Sequence, residues 1–212
     1  MSAQDDFVQP PRLATWLLLL LASREPESIE GDLFEEFSGV VSRSGVAVAR
    51  RWYWRQALHS IVHLFGSAFQ TAPYSTLAAV VTGFLLGRLL FPLSEKAIFA
   101  VLERYGVFDH HFKVYVFFAT NGVAISHVMT SMFVGCWTAF IAKKYGMIAT
   151  IILVFVLFGM TGAACFVWIA RGNTSMLFAP LPWTLLDWLA MLLGAAIIRN
   201  RRFASRAASS LR

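Results

Sequence analysis

From Met147 to Ala170 the sequence carries no charged side chain. A stretch of that length meets the roughly 20 apolar residues a helix needs to cross hydrocarbon. Backbone groups left unpaired in lipid are so costly that such a stretch has to be helical. Three more stretches have the same character: Pro73 to Leu93, Phe112 to Ala142 and Leu177 to Ile198. The second is long enough to tilt. Hydrophobic residues make up 58% of the chain and charged residues only 14%, with mean hydropathy +0.63. Soluble domains carry roughly 25% charged residues. The expected fold is therefore all-α and polytopic. Four spans (73–93, 112–142, 147–170 and 177–198) follow a helical N-terminal region over residues 1–70 and precede a basic tail over 199–212.

The formal net charge is +6, and its placement excludes nucleic acid as the expected partner. Basic residues flank the apolar runs, as the positive-inside rule demands, and no groove-reading motif accompanies them. Arg12, Arg24, Arg43, Arg50, Arg51 and Arg55 precede the first span. Lys143 and Lys144 lie between the second and third. Arg199, Arg201, Arg202, Arg206 and Arg212 follow the fourth. These thirteen oppose four on the other side, Lys96, Arg104, Lys113 and Arg171. An even number of spans puts both termini on the richer, cytoplasmic side.

The apolar run Leu13 to Ala22 is too short to span. It follows Asp5 and Asp6 rather than a basic start, so a buried helix is expected there instead of a signal peptide. Its apolar residues Leu13, Trp16, Leu17, Leu20 and Leu21 fall at helical spacing. A second helix opens at Pro26, with Ile29, Leu33, Phe37 and Val41 on its inner face. Glu25, Glu27 and Glu30 favour its N-terminal dipole end. Gly45 separates a third helix carrying Arg50, Arg51, Trp52, Tyr53, Trp54 and Arg55. Basic and aromatic residues just before a span predict an interfacial anchor on anionic headgroups. Some of these arginines are alternatively placed to pair with Glu30, Glu35 or Glu36.

Three segments of this region, Pro10-Pro11-Arg12-Leu13-Ala14, Glu30-Gly31-Asp32-Leu33-Phe34-Glu35-Glu36-Phe37 and Ala49-Arg50-Arg51-Trp52-Tyr53-Trp54-Arg55-Gln56-Ala57-Leu58, occur in the order seen in another family. The region of about residues 10–60 resembles the permease prefix domain (type 2), which precedes the membrane part of duplicated orphan permeases of the ABC export type. The resemblance implies a bacterial inner-membrane protein with a cytoplasmic prefix module. Family permeases carry large extracytoplasmic domains and two sets of spans. Four closely spaced spans leave no room for such a domain, so the resemblance does not imply transport by this chain alone. The sequence has no P-loop pattern, so any ATPase would be a separate subunit.

Charges well inside spans are rare and usually paired or functional. Arg88 and Asp187 lie at similar depth from the outer face and are expected to pair, locking the first span to the fourth. The second span is the most polar, with Thr120, Asn121, Ser126, His127, Thr130 and Ser131. Interhelical hydrogen bonding is the expected use of these groups, with a proton relay or haem ligation at His127 as the alternative. His110 and His111 lie at the outer mouth and supply no second axial ligand. His59 and His63 are one turn apart, but no acidic or cysteine partner is near them in sequence, so no metal is expected. Gly83 and Gly87 permit close helix approach, within the chain or between copies, and Gly159, Gly162 and Ala163 form a similar face. Cys136 and Cys165 are expected to be small buried hydrophobes. Asn173-Thr174-Ser175 matches a glycosylation sequon, which carries little meaning in a bacterial protein.

No nucleophile elbow, catalytic carboxylate pair or zinc-protease motif is present. The expected function is non-enzymatic and cofactor-free: a permease-related accessory subunit acting with other membrane proteins or copies of itself. A small channel or transporter, with a polar path along span two and Arg88/Asp187, is the alternative.

Overall fold

A computed structural model of the chain describes residues 9–21, 26–171 and 181–210. The described residues are almost entirely helical, with no strand among them. They divide into two compact units, Met1–Pro73 and Tyr74–Arg212. Leu177, Pro180 and the Asn173-Thr174-Ser175 tripeptide fall outside the described residues, as do Asp5, Asp6, Arg24, Glu25 and Arg212.

The N-terminal unit is built from α1 (Arg12–Leu21), α2 (Pro26–Ser44) and α3 (Val46–Thr71). Gly45 adopts φ 81°, a left-handed conformation that ends α2 without the Cβ penalty another residue would meet. At the far end, Ala72 precedes Pro73, and proline disfavours helical geometry in the residue before it. Ala72 accordingly leaves the helix at φ −144° and ψ 57°. The core joins Ala14 and Leu18 of α1, Leu33 and Phe37 of α2, and Ala49, Tyr53 and Ala57 of α3. Phe37 and Tyr53 meet edge to face at 5.6 Å. The buried Tyr53 hydroxyl is satisfied by Thr15 Oγ1 at 2.8 Å, as a buried phenol requires.

Two sequence expectations change here. The buried face of α1 is Ala14, Leu18 and Leu21, which leaves Leu13 70% and Trp16 58% exposed. Tyr53 is 1% exposed and belongs to the core rather than to an interfacial anchor. Arg50, Arg51 and Arg55 remain exposed, with Trp52 and Trp54 half-buried. None of these arginines forms an ion pair with Glu35 or Glu36. Leu33 and Phe37 are buried as expected, and Val41 packs on the same cluster.

The second unit contains α4 (Pro73–Arg104), α5 (Val107–His110), α6 (Phe112–Phe117), α7 (Val123–Ile141), α8 (Gly146–Ala170) and α9 (Leu181–Ser210). A π-helical turn over Phe118–Gly122 joins α6 to α7. Among the described residues, Pro73–Arg104, Phe112–Ile141 and Lys143–Val167 are long and apolar enough to cross a membrane.

The first of these continues well past Leu93, where hydropathy marks the end of the span. Pro92 removes only one amide donor, and Glu95 and Lys96 are compatible with a helix. The chain turns at Gly106, which is left-handed at φ 58°. The second departs from a uniform α-helix at the π turn, where Thr120 Oγ1 donates to the Val116 carbonyl at 2.8 Å.

Close approaches set the register. A Cβ on Gly83 of α4 would sit 2.3 Å from Thr138 Oγ1 of α7, and one on Gly87 would meet the Phe91 ring at 3.4 Å and Val134 of α7 at 4.0 Å. Helices α4 and α7 are thus antiparallel, and the Gly83 face is used inside the chain. Helix α8 returns antiparallel to α7 through a turn in which Lys143 is left-handed at φ 51°. The tightest contact is between α7 and α9. A Cβ on Gly135 would lie 2.0 Å from the Met191 carbonyl oxygen, and one on Gly194 would lie 2.1 Å from that of Met132. Asp187 beside His127 and Ser131 at one end, and Arg202 at the Ala139, Phe140 and Lys143 carbonyls at the other, make α9 parallel to α7. Val134, Leu153 and Met191 form the core of the unit, with Val80, Phe84 and Phe91 of α4 against it.

Because the atoms facing Gly135 and Gly194 are backbone, neither position can admit a side chain without separating the helices. Gly135→Ala and Gly194→Ala should each lower stability by about 1–3 kcal/mol. Gly159→Ala and Gly162→Ala, where a Cβ meets nothing within 4 Å, should be neutral or slightly stabilising. Thermal unfolding of the detergent-solubilised chain separates the two classes. In the N-terminal unit, Phe37→Ala should cost about 3–5 kcal/mol and Tyr53→Phe about 1 kcal/mol. Hydrogen-exchange protection of α1–α3 in the full chain reads both.

Candidate functional site

Where α4, α7 and α9 meet, four polar side chains converge. His127 lies one turn before Ser131 on α7, so both present to the same side of that helix. His127 Nε2 is 2.8 Å from Glu95 Oε1 of α4. The edge of its ring also meets Phe91, one turn before Glu95, with centroids 5.0 Å apart. Phe91 and Glu95 therefore hold the imidazole from one helix by packing and by hydrogen bonding. The pair is not deeply buried: the His127 side chain is 28% exposed and that of Glu95 43%.

Asp187 approaches from α9. His127 and Ser131 of α7 lie near its carboxylate. The Ser131 hydroxyl approaches the Asp187 carboxylate, but neither Ser131 Oγ nor Asp187 Oδ1 completes a hydrogen bond, although both atoms are buried. Ser131 itself has no exposed surface. Buried polar atoms without partners cost roughly 1–3 kcal/mol each, so this is a place where the bundle gives up stability.

The expected pairing of Arg88 with Asp187 does not form. Arg88 is exposed and makes no ion pair. Asp187 lies at the level of His127 and hence of Glu95, two turns of α4 from Arg88, whose side chain is exposed. Of the polar residues of span two, His127 enters the cluster. Ser126 and Thr120 return their hydroxyls to their own helix, at Val123 and Val116. Asn121 lies in the π turn, and Thr130 is half-buried on α7. π-Helical turns are frequent near functional sites, and this one lies shortly before His127 in the same membrane-length helix. Glu95 was missed because it lies beyond the hydropathy boundary of the first span. The signal available was the apolar stretch Ala97-Ile98-Phe99-Ala100-Val101-Leu102, which continues the helix past it.

Elsewhere, His59 and His63 are exposed on α3, and no cluster of three metal-ligating side chains occurs among the described residues. Cys136 and Cys165 are free thiols, and Cys136 Sγ lies 3.3 Å from the Gly194 carbonyl. At the opposite end of the α7–α9 contact, Arg202 donates to the carbonyls of Ala139 at 3.3 Å and Phe140 at 3.0 Å, and to that of Lys143. These are the carbonyls a helix C-terminus leaves without internal partners, where a cation also complements the dipole.

The geometry fixes which pairs are coupled. A double-mutant cycle on Glu95→Gln and His127→Gln should give a coupling of about 0.2–1 kcal/mol, the range for a partly exposed pair. The cycle on Arg88→Gln and Asp187→Asn should give none. Thermal unfolding in detergent measures both. No family model matches the sequence, and no curated protein or solved structure matches it.

Proposed function

We propose that the chain is a non-enzymatic, multi-pass membrane subunit whose N-terminal three-helix unit docks a partner on the cytoplasmic side. The observation that carries this reading is the division into two separately cored units, a small bundle and a set of membrane-length helices. A small unit with its own core and exposed apolar side chains is suited to recognition. Leu13 and Trp16 of α1 provide such side chains.

In this reading α9 is the fourth span. It runs parallel to α7 in backbone contact with it, and Arg202 sits at the level of the α7–α8 turn. The tail arginines thereby join Lys143 and Lys144 on one side, in agreement with the thirteen-to-four distribution of basic residues. Both termini are then cytoplasmic in a bacterial inner membrane. Arg50, Arg51 and Arg55, with half-buried Trp52 and Trp54, supply headgroup contacts at the cytoplasmic surface. The prefix-like reading of residues 10–60 draws support from the shared core of its three segments: Ala14 from the first, Leu33 and Phe37 from the second, and Ala49, Tyr53 and Ala57 from the third.

Two measurements test the proposal. A fluorescent protein fused after Arg212 should fluoresce, and alkaline phosphatase in the same place should be inactive. An active phosphatase there overturns the four-span topology. The full chain, purified from its native membranes under mild detergent, should bring a stoichiometric partner. That partner should be lost in the Leu13→Glu, Trp16→Glu double variant while the fold persists. Purification as a lone chain that conducts ions in liposomes would favour a channel instead.

A further inference from the structure

Glu95, His127, Ser131 and Asp187, which the docking reading does not use, place two carboxylates around one imidazole between α4, α7 and α9. We propose that Glu95, His127 and Asp187 form a proton-binding site, loaded from water at Glu95 and storing its proton on Asp187 against Ser131. Three features support it. Glu95 is the more exposed member and is in direct hydrogen-bond contact with His127. His127 also lies near Asp187 of α9, so it stands between the more exposed Glu95 carboxylate and the half-buried Asp187 carboxylate. Finally, Asp187 Oδ1 and Ser131 Oγ are buried without partners. An ionised carboxylate can only accept, whereas a protonated one also donates. A proton on Asp187 lets the carboxyl donate to Ser131 Oγ, whereas the ionised carboxylate could only accept from the Ser131 hydroxyl.

The charge environment is sparse. Helix α4 contributes Glu95, with Lys96 beside it in sequence and Arg88 two turns away. Helix α7 contributes His127, α9 contributes Asp187, and α8 carries no charged side chain. Two carboxylates flanking one imidazole in such surroundings favour a retained proton. The transfer balances. A hydronium ion protonates the Glu95 carboxylate and leaves as water. Glu95 passes that proton to His127 Nε2 and returns to carboxylate. His127 gives one ring proton to Asp187 and returns to neutral imidazole. The net change is one proton bound at Asp187.

The test is infrared difference spectroscopy of the full chain in liposomes, stepped between acid and neutral pH in H2O and D2O. The wild type should show a protonated-carboxyl stretch that shifts down in D2O and appears with acid. Asp187→Asn should abolish it, and Ser131→Ala should move its frequency by removing the acceptor. His127→Gln should leave the band in place but slow its appearance after a pH jump about a hundredfold, the scale of a lost positioned proton donor. The proposal is overturned if the wild type has no titrating carboxyl band, if the band survives in Asp187→Asn, or if His127→Gln responds as fast as wild type. Should Asp187→Asn fail to fold, an unmoved band in Ser131→Ala overturns it alone. None of these readings depends on a docking partner.

Discussion

Backbone contact between α7 and α9 determines where everything else in the membrane-length unit sits. Within lipid, helices gain little from burying apolar side chains, because the tails are equally apolar. Association depends on close packing, and small residues allow it. Gly135 and Gly194 each face a carbonyl oxygen of the other helix, at Met191 and Met132, with no room for a Cβ. That contact fixes both the separation and the register of the two helices. One face of α7 then runs His127, Ser131, Gly135 and on toward Ala139, while α9 presents Asp187, Met191, Gly194 and then Arg202. The polar cluster, the glycine contact and the arginine cap are successive levels of a single seam.

The two ends of that seam carry opposite chemistry for physical reasons. At the α7 C-terminus the last carbonyls have no partners within the helix, and the planar guanidinium of Arg202 meets several of them together. Those carbonyls have a partner. At the other end Ser131 and Asp187 bring buried oxygens together without completing a bond. Backbone positions are held by the glycines a turn away, so the side chains cannot relax by moving the helices apart. With the backbone fixed there, changing a single proton alters the hydrogen bonding with little motion.

Much of the fold was legible because hydropathy and helical period are strong signals. The long apolar runs, the glycine face at Gly83, and the Leu33/Phe37 face of α2 all follow from one-dimensional patterns. What was illegible depended on rotation about a helix axis or on structure beyond a hydropathy edge. Hydropathy gives Arg88 and Asp187 one depth, but Asp187 lies at the level of His127 and Glu95, two turns of α4 from Arg88. Leu13 and Trp16 have helical spacing, yet the stripe that is buried is Ala14, Leu18 and Leu21, since small Ala14 admits close approach and tryptophan does not. Tyr53 reads as an interfacial aromatic from its arginine neighbours, but Thr15 waits for its hydroxyl from another helix, which local sequence cannot reveal. Glu95 was hidden because charge ends a hydropathy window without ending a helix.

The two units also obey different rules of assembly. The N-terminal core is aromatic and aliphatic, closed by an edge-to-face ring pair and one buried hydrogen bond, and its stability derives from removing apolar surface from water. The membrane-length unit gains little from that effect in lipid and depends on backbone proximity and a few polar contacts. Conditions that weaken one need not weaken the other.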